Sequence, residues 1–294
     1  MLWDLLPSGK QLGGAPANFA YMTALLGDHA LVASRVGKDR LGNAAARRLT
    51  RLGLPATFLQ VDADRTTGTV NVTVDAEGQP KFEIMEKVAW DFFEWTPQWR
   101  ELAAKADAVC FGSLAQRSAQ SRATILAFLE AVRPGTLRIF DVNLRQAFFN
   151  KDVLSESASR ADIMKLNDDE IMRVTELLGG TARDQQSAAQ WILKEYGLKL
   201  VCVTRGGQGS LLVTAKATDE HPGHPVKVQD TVGAGDAFTA ALVHKYLRKA
   251  PLRAMNAAAN RMGSWVASQV GATPPADPKV ILEFHDSNEE GTAA

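Results

Sequence analysis

The run Asp230-Thr-Val-Gly-Ala-Gly-Asp236 leads directly into the helical pattern Ala237-Phe-Thr-Ala-Ala-Leu-Val-His244. Gly233 and Gly235 let the backbone turn tightly, so that N–H groups of Ala234, Gly235 and Asp236 can point into one space. The helix that follows adds the positive end of its dipole at the same spot, which makes a site for an anion, most naturally a phosphate. The carboxylate of Asp236 would then sit beside bound negative charge. That is unfavourable unless it has work to do, and taking a proton from an attacking hydroxyl is such work. Taken alone, the run is equally a Gly-rich loop with an acidic helix cap.

Other stretches carry chemistry of the same kind. In Leu12-Gly-Gly-Ala-Pro-Ala-Asn-Phe-Ala20, two glycines before a helix start let a small polar ligand approach the backbone, and Asn18 lies one turn into that helix. Asp141-Val-Asn-Leu-Arg145 follows a strand pattern and ends on a guanidinium fork suited to phosphate. Asn167-Asp-Asp-Glu170 also follows a strand and is rich in helix-capping residues. Val203-Thr-Arg-Gly-Gly-Gln-Gly-Ser210 is a Gly-rich turn but not a Walker loop, because no Gly-Lys-Ser/Thr follows. His221-Pro-Gly-His224 holds two histidines three apart, yet Pro222 and Gly223 make it a solvent-exposed loop rather than a metal-chelating helix. Cys110 and Cys202 lie in apolar runs without a Cys or His at metal-ligand spacing, as buried free thiols do.

The elements that must position these residues show as alternation. Apolar or β-branched runs at Leu31–Ser34, Ala108–Phe111, Leu137–Val142, Asp162–Leu166 and Leu200–Val203 predict strands. Helical patterns lie between them at Ala17–Leu26, Gly42–Leu52, Ala119–Val132, Asp168–Leu178 and Gln185–Tyr196. Such alternation implies parallel strands with right-handed crossovers, helices on both faces and chemistry at the carboxyl ends of the strands. One segment breaks the pattern: Thr69–Val74, a turn at Asp75-Ala-Glu-Gly78, and Lys81–Ile84 predict a β-hairpin standing off the main sheet. Such a hairpin can cover a site or pair with another subunit. The tail Asp286–Ala294 is small and polar and adds no predicted element.

Composition bounds the rest. The chain of 294 residues is 46% hydrophobic, enough for a large α/β core. Lys+Arg and Asp+Glu both number 33, and without a basic stripe no nucleic-acid partner is expected. No apolar run approaches the roughly 18 residues of a membrane span. No signal-like segment opens the sequence, and a cytoplasmic protein is expected.

Leu12–Ala20 and Asp230–Asp236 together, some 210 residues apart, resemble the ribokinase-like, or PfkB-type, carbohydrate kinases. The opening Leu2-Trp-Asp-Leu-Leu-Pro7 resembles their fructokinase branch. The resemblance runs over essentially the whole chain. It implies a three-layer α/β/α fold across 1–294, with a mostly parallel central sheet and a small β lid from about 57–90 plus part of 5–12. It implies Asp236 as the base that deprotonates the acceptor hydroxyl, with Gly233, Ala234 and Gly235 as the anion hole. Asp4, Gly13, Gly14 and Asn18 match positions that hydrogen-bond sugar hydroxyls, and Arg145 matches one that reaches phosphate or substrate. Asn167, Thr204, Gly206, Gly207, Gly209, Asn256 and Asn260 match the nucleotide side. Glu170 matches a residue that positions Mg2+ through water, and Asp230 lies at what is a K+ site in many relatives. Val36-Gly-Lys-Asp-Arg-Leu-Gly42 departs from the family's Gly-Asp-Asp-x-x-Gly by carrying Lys38 for Asp.

The resemblance thus implies an ATP- and Mg2+-dependent sugar kinase, fructose being the favoured acceptor and ribose, 2-keto-3-deoxygluconate or a nucleoside the alternatives. A catalytically inactive sugar-binding scaffold or sensor is the alternative of another class. A nicotinamide dehydrogenase would need Gly-x-Gly-x-x-Gly after its first strand, which Gly13-Gly-x-x-x-Asn18 does not supply. A homodimer through the lid is a further expectation. Relatives carry a central strand that ends at the position of Asp4, whereas only three residues precede Asp4 here. Either the sequence lacks its true start or the sheet lacks most of that strand.

Overall fold

The computed structural model describes residues 1–6, 9–74 and 80–286. The chain opens with β1 (Leu2–Leu6) and β2 (Gly9–Gly13), then α1 (Ala15–Leu25), β3 (Ser34–Gly37), α2 (Arg40–Arg51) and β4 (Leu59–Asp62). The hairpin β5 (Thr69–Val74) and β6 (Pro80–Ile84) and the helix α3 (Pro97–Lys105) follow. Strands and helices then alternate through β7 (Ala108–Gly112), α4 (Ala119–Ala131), β8 (Leu137–Asp141), α5 (Lys151–Ser159) and β9 (Ile163–Asn167). Next come α6 (Asp168–Leu178), α7 (Gln185–Glu195), β10 (Leu200–Thr204), β11 (Ser210–Val213) and β12 (Thr218–His221). Three helices, α8 (Ala234–Leu247), α9 (Leu252–Ala267) and α10 (Pro278–Asp286), complete the order.

The main sheet runs β12-β11-β10-β9-β8-β7, with β7 to β10 mutually parallel and β11 and β12 antiparallel. Because successive side chains alternate across a strand, β9 sends Ile163 into a core shared with α1, α2, α8 and α9. The same strand sends Met164 and Leu166 into a second core with α5, α6 and α7. Two helix layers on a mostly parallel sheet give the expected α/β/α arrangement. Among the described residues no helix is long and apolar enough to cross a membrane.

The hairpin is present, pairing Val70 with Ile84, but it is half of a larger unit. β1 pairs antiparallel with β2 and parallel with β5, giving a separate sheet of order β2-β1-β5-β6. Trp3 fixes it to the main body through its indole N–H, which donates to the Leu41 carbonyl at 3.0 Å. The expected turn at Asp75–Gly78, Pro7 and the tail beyond Asp286 lie outside the described residues.

Two expectations need correction. The strand expected at Leu31–Ser34 begins only at Ser34, because the pairing partner β4 meets the chain over Ser34–Gly37. His221 ends β12 half-buried, its Nδ1 accepting from the Gly223 amide at 3.0 Å, instead of standing in an exposed loop. Three helices carried no expectation, α3, α5 and α10. Each is nine residues, short enough for its periodicity to be faint, and Thr96 and Asn150 cap α3 and α5.

Candidate active site

α8 begins where the sequence places it. Gly233 adopts φ 82°, a left-handed conformation, and a Cβ there would lie 2.6 Å from the Cβ of Ala272. Glycine is therefore required by both backbone and space. The expected three amides reduce to two: the Ala234 N–H donates back to the Thr231 carbonyl at 3.2 Å. Among the described residues, the Gly235 and Asp236 amides keep no acceptor, as the first turn of a helix dictates. They form the open, positive end of the helix dipole.

Asp236, at the third position of α8, is joined to the other glycine motif. Gly14, at φ 109°, caps α1, and Asn18, one turn inside, donates its Nδ2 to Asp236 Oδ2 at 2.8 Å. Asn18 is 4% exposed, and its Oδ1 is buried without a hydrogen-bond partner. Burial and then the neighbouring Asp141 carboxylate push the Asp236 pKa up to about 7. The Asn18 hydrogen bond and the charges of Lys165 and Arg145 work in the opposite direction. A carboxyl group poised near neutrality can hold or release a proton at working pH, as a general base must.

The strand pair leading into α1 brings Asp4 and Gly13 together. The Asp4 carboxylate lies so close to the Gly13 Cα that a methyl group there would overlap it. Burial raises the Asp4 pKa. Behind this pair, Asp39 caps α2 by accepting from the Gly42 and Thr67 amides, each at 2.7 Å. The adjacent Lys38 is exposed.

At the carboxyl ends of the parallel strands, Asn167 closes β9 and pairs in register with Thr204, which closes β10. Asn167 and Glu170 form a reciprocal cap on α6: Asn167 Oδ1 accepts from the Glu170 amide at 2.8 Å, and Glu170 Oε2 from the Asn167 amide at 2.9 Å. Glu170 Oε1 also accepts from the Leu144 amide at 2.6 Å, which ties the loop after β8 to this corner. Arg145 in that loop is exposed and donates to the Leu144 carbonyl at 3.0 Å, yet its charge reaches Asp236. Gly206 and Gly207 lie in a short 3-10 turn that Gly209 closes, with the Arg205 amide donating to the Gly209 carbonyl at 2.7 Å.

Asn256 and Asn260 are turned inward. Asn256 Nδ2 donates to Asp219 Oδ2 at 2.8 Å, and Asn260 Nδ2 to Ser210 Oγ at 2.7 Å, so both side chains are spent tying α9 to β11 and β12. Asp230 holds two loops together, accepting from Val232 and Gly271 amides at 3.0 Å each.

Sequence reasoning missed Lys165. Its ammonium lies 3.2 Å from Asp141 Oδ1, with the residue 7% exposed, and Asp141 also accepts from Thr239 Oγ1 of α8 at 3.4 Å. The available signal was a lone lysine inside the apolar run Ile163-Met-Lys-Leu.

The donors present are of kinds that suit a nucleoside triphosphate: two amides without acceptors at a helix end, a Gly-rich turn and an exposed Arg. For Mg2+, no group of three or more metal-ligating side chains occurs among the described residues. Glu170 already accepts two amides, so these residues suit an ion carried by phosphates and water rather than a protein cage.

Comparison with known proteins gives this geometry its relatives. The chain is 31% identical over 255 residues to fructokinase of Klebsiella pneumoniae, covering 82% of this chain and 80% of the relative. It is 29% identical over 251 residues to aminoimidazole riboside kinase of Salmonella typhimurium, covering 82% and 76%. The crystal structure of fructokinase from Vibrio cholerae O395 with fructose, ADP and calcium ion bound superposes with TM-score 0.80 at 25% identity, over 96% of each chain. A model for the pfkB family carbohydrate kinases matches residues 8–279. With that match across the segments that build the α8 turn, the Asn18–Asp236 contact and the Asn167–Glu170 cap, the chain belongs to the pfkB family of carbohydrate kinases.

Proposed function

We propose that this sugar kinase transfers the γ-phosphoryl group of ATP to a primary hydroxyl of fructose, with Asp236 as the base. The observation that carries the reading is the 2.8 Å bond from Asn18 to Asp236. It joins the two glycine motifs around a carboxyl with a pKa of about 7, at the free-amide end of a helix.

In this reading Asp4, Gly13, Gly14 and Asn18 hold and orient the sugar, a carboxylate accepting from hydroxyls and an amide doing both. Asp236 takes the proton of the attacking hydroxyl as the oxygen bonds to phosphorus. The Gly235 and Asp236 amides, shaped by Gly233 and Ala234, hold the transferring group's negative charge in a fixed geometry. Arg145 neutralises charge at the cleft mouth. Asn167, Thr204, Gly206, Gly207 and Gly209 line the nucleotide side, while Asn256 and Asn260 brace it from within. Mg2+, held through water near Glu170, would screen the phosphates during in-line transfer. The loops tied by Asp230 are where K+ would be held, steadying the α8 turn. The β2-β1-β5-β6 sheet is the lid that keeps water from the phosphoryl group, and its exposed outer strand β2 is an edge along which a second copy would pair. The setting is the cytoplasm.

The test is ADP release with Mg-ATP against fructose, ribose, 2-keto-3-deoxygluconate and aminoimidazole riboside, each with and without potassium. The expected result is greatest turnover on fructose, reduced by several orders of magnitude in Asp236→Asn while ATP still binds. Turnover of that variant near the parent level removes Asp236 as the base, and a strong preference for the riboside replaces fructose as the acceptor.

A further inference from the structure

Lys165 is a buried cation to which the mechanism above assigns no part. It projects from β9 on the face shared with Ile163, toward α8. A Cβ built on Gly235 would lie 3.1 Å from its Nζ, so the ammonium rests directly against the first turn of that helix. Its charge is held by Asp141, whose two oxygens lie 3.2 and 3.4 Å away. Thr239 lies beside this pair, its single hydroxyl proton shared between the Gly235 carbonyl at 2.9 Å and Asp141 Oδ2 at 3.4 Å. Burial alone would lower the Lys165 pKa, but Asp141, Asp236 and Glu170 together raise it above the ordinary lysine value, so the cation persists.

A buried ion pair adds little to stability, because desolvating both charges offsets most of their attraction. Its placement is better explained by what lies in front of it. Lys165 lies against the first turn of α8, whose Gly235 and Asp236 amides keep no acceptor among the described residues, in surroundings where water screens charge poorly. Negative charge placed at those amides therefore lies close to the ammonium.

We propose that Lys165 is a positioning residue for phosphoryl transfer, acting through the Gly235 turn as fixed positive charge that favours the transferring group over the ground-state nucleotide, with Asp141 moderating it. The proposal rests on the kinase reading. It predicts opposite signs for the two members of the pair. Lys165→Met removes the favourable charge, whereas Asp141→Asn leaves the ammonium less neutralised.

The test compares affinities for Mg-ADP alone and for Mg-ADP with aluminium fluoride and fructose, a mimic of the transferring phosphoryl group. Lys165→Met is expected to lose about 100-fold or more in affinity for the mimic and less than about 5-fold for Mg-ADP, with kcat falling and the KM for fructose nearly unchanged. Asp141→Asn is expected to keep or tighten mimic binding. The double variant Lys165→Met/Asp141→Asn buries no lone charge. It should show the same selective loss, and it decides the matter if Lys165→Met does not fold. Equal losses for ADP and mimic, or equal behaviour of the two single variants, reduce the pair to a structural bridge and overturn the proposal. A parent protein that binds neither nucleotide form overturns the kinase reading instead.

Discussion

Replacing Asp236 with Asn should strengthen the fold while abolishing turnover, and the size of the gain should depend on pH. The carboxyl has an ordinary pKa of 3.8 and is raised to about 7 in the folded chain by burial and by Asp141. A carboxyl raised on folding contributes stability that is fully present below 3.8 and lost as pH rises through about 7, because the folded chain binds the proton more tightly. Each pH unit in that interval corresponds to about 1.4 kcal/mol. The shifted carboxyl therefore lowers stability by at most about 4 kcal/mol at pH 8, where it is ionised in both states, and by only about 1.5 kcal/mol at pH 5, where the folded chain keeps its proton and the unfolded chain has lost it. Water reaching the partly open residue trims both figures. Asn cannot ionise, yet it still offers Asn18 Nδ2 an acceptor. For a chain of 294 residues, the larger figure corresponds to a rise in Tm of roughly 6 °C. Thermal or urea unfolding of parent and variant at pH 5 and pH 8 checks this. The variant should gain about 2 kcal/mol more at pH 8 than at pH 5. An identical difference at both pH values would refute the idea that Asp236 is held near neutrality at the expense of stability.

Two further outcomes follow from the same geometry. The acid limb of kcat/KM should fall below about pH 7, where Asp236 takes up its proton. Asn18→Ala, which removes the hydrogen bond that lowers this pKa, should move the limb upward by about 1 pH unit; an unmoved limb would show that the limb belongs to another group. Gly233→Ala must place a Cβ against Ala272 at a φ of 82°. It should destabilise the protein by about 2–4 kcal/mol and cost most of the turnover, and unfolding by urea with activity measured alongside would expose a tolerant turn if both stayed near the parent values.

Much of this protein was legible along the chain, because it depends on neighbours in sequence. The strands at Ala108, Leu137, Ile163 and Leu200 and the helices α1, α2, α4, α6 and α7 stand within two residues of where apolar periodicity puts them. The Gly233–Asp236 turn and the Asn167–Glu170 cap are likewise local, each closed by hydrogen bonds within a few residues. Only the tertiary structure decided the rest, since it turns on partners far away in sequence. β1 joins the hairpin sheet because Asp4 pairs with Val70 and Gln11, a choice that five residues of strand cannot encode alone. Asn256 and Asn260 face inward because Asp219 and Ser210 meet them there, although their spacing equally suits an open cleft. The ionisation of Asp236 is set by Asp141, Asn18 and Lys165, which come from three other elements. A sequence names the carboxylate; its pKa belongs to the charges and the burial that the fold gathers around it.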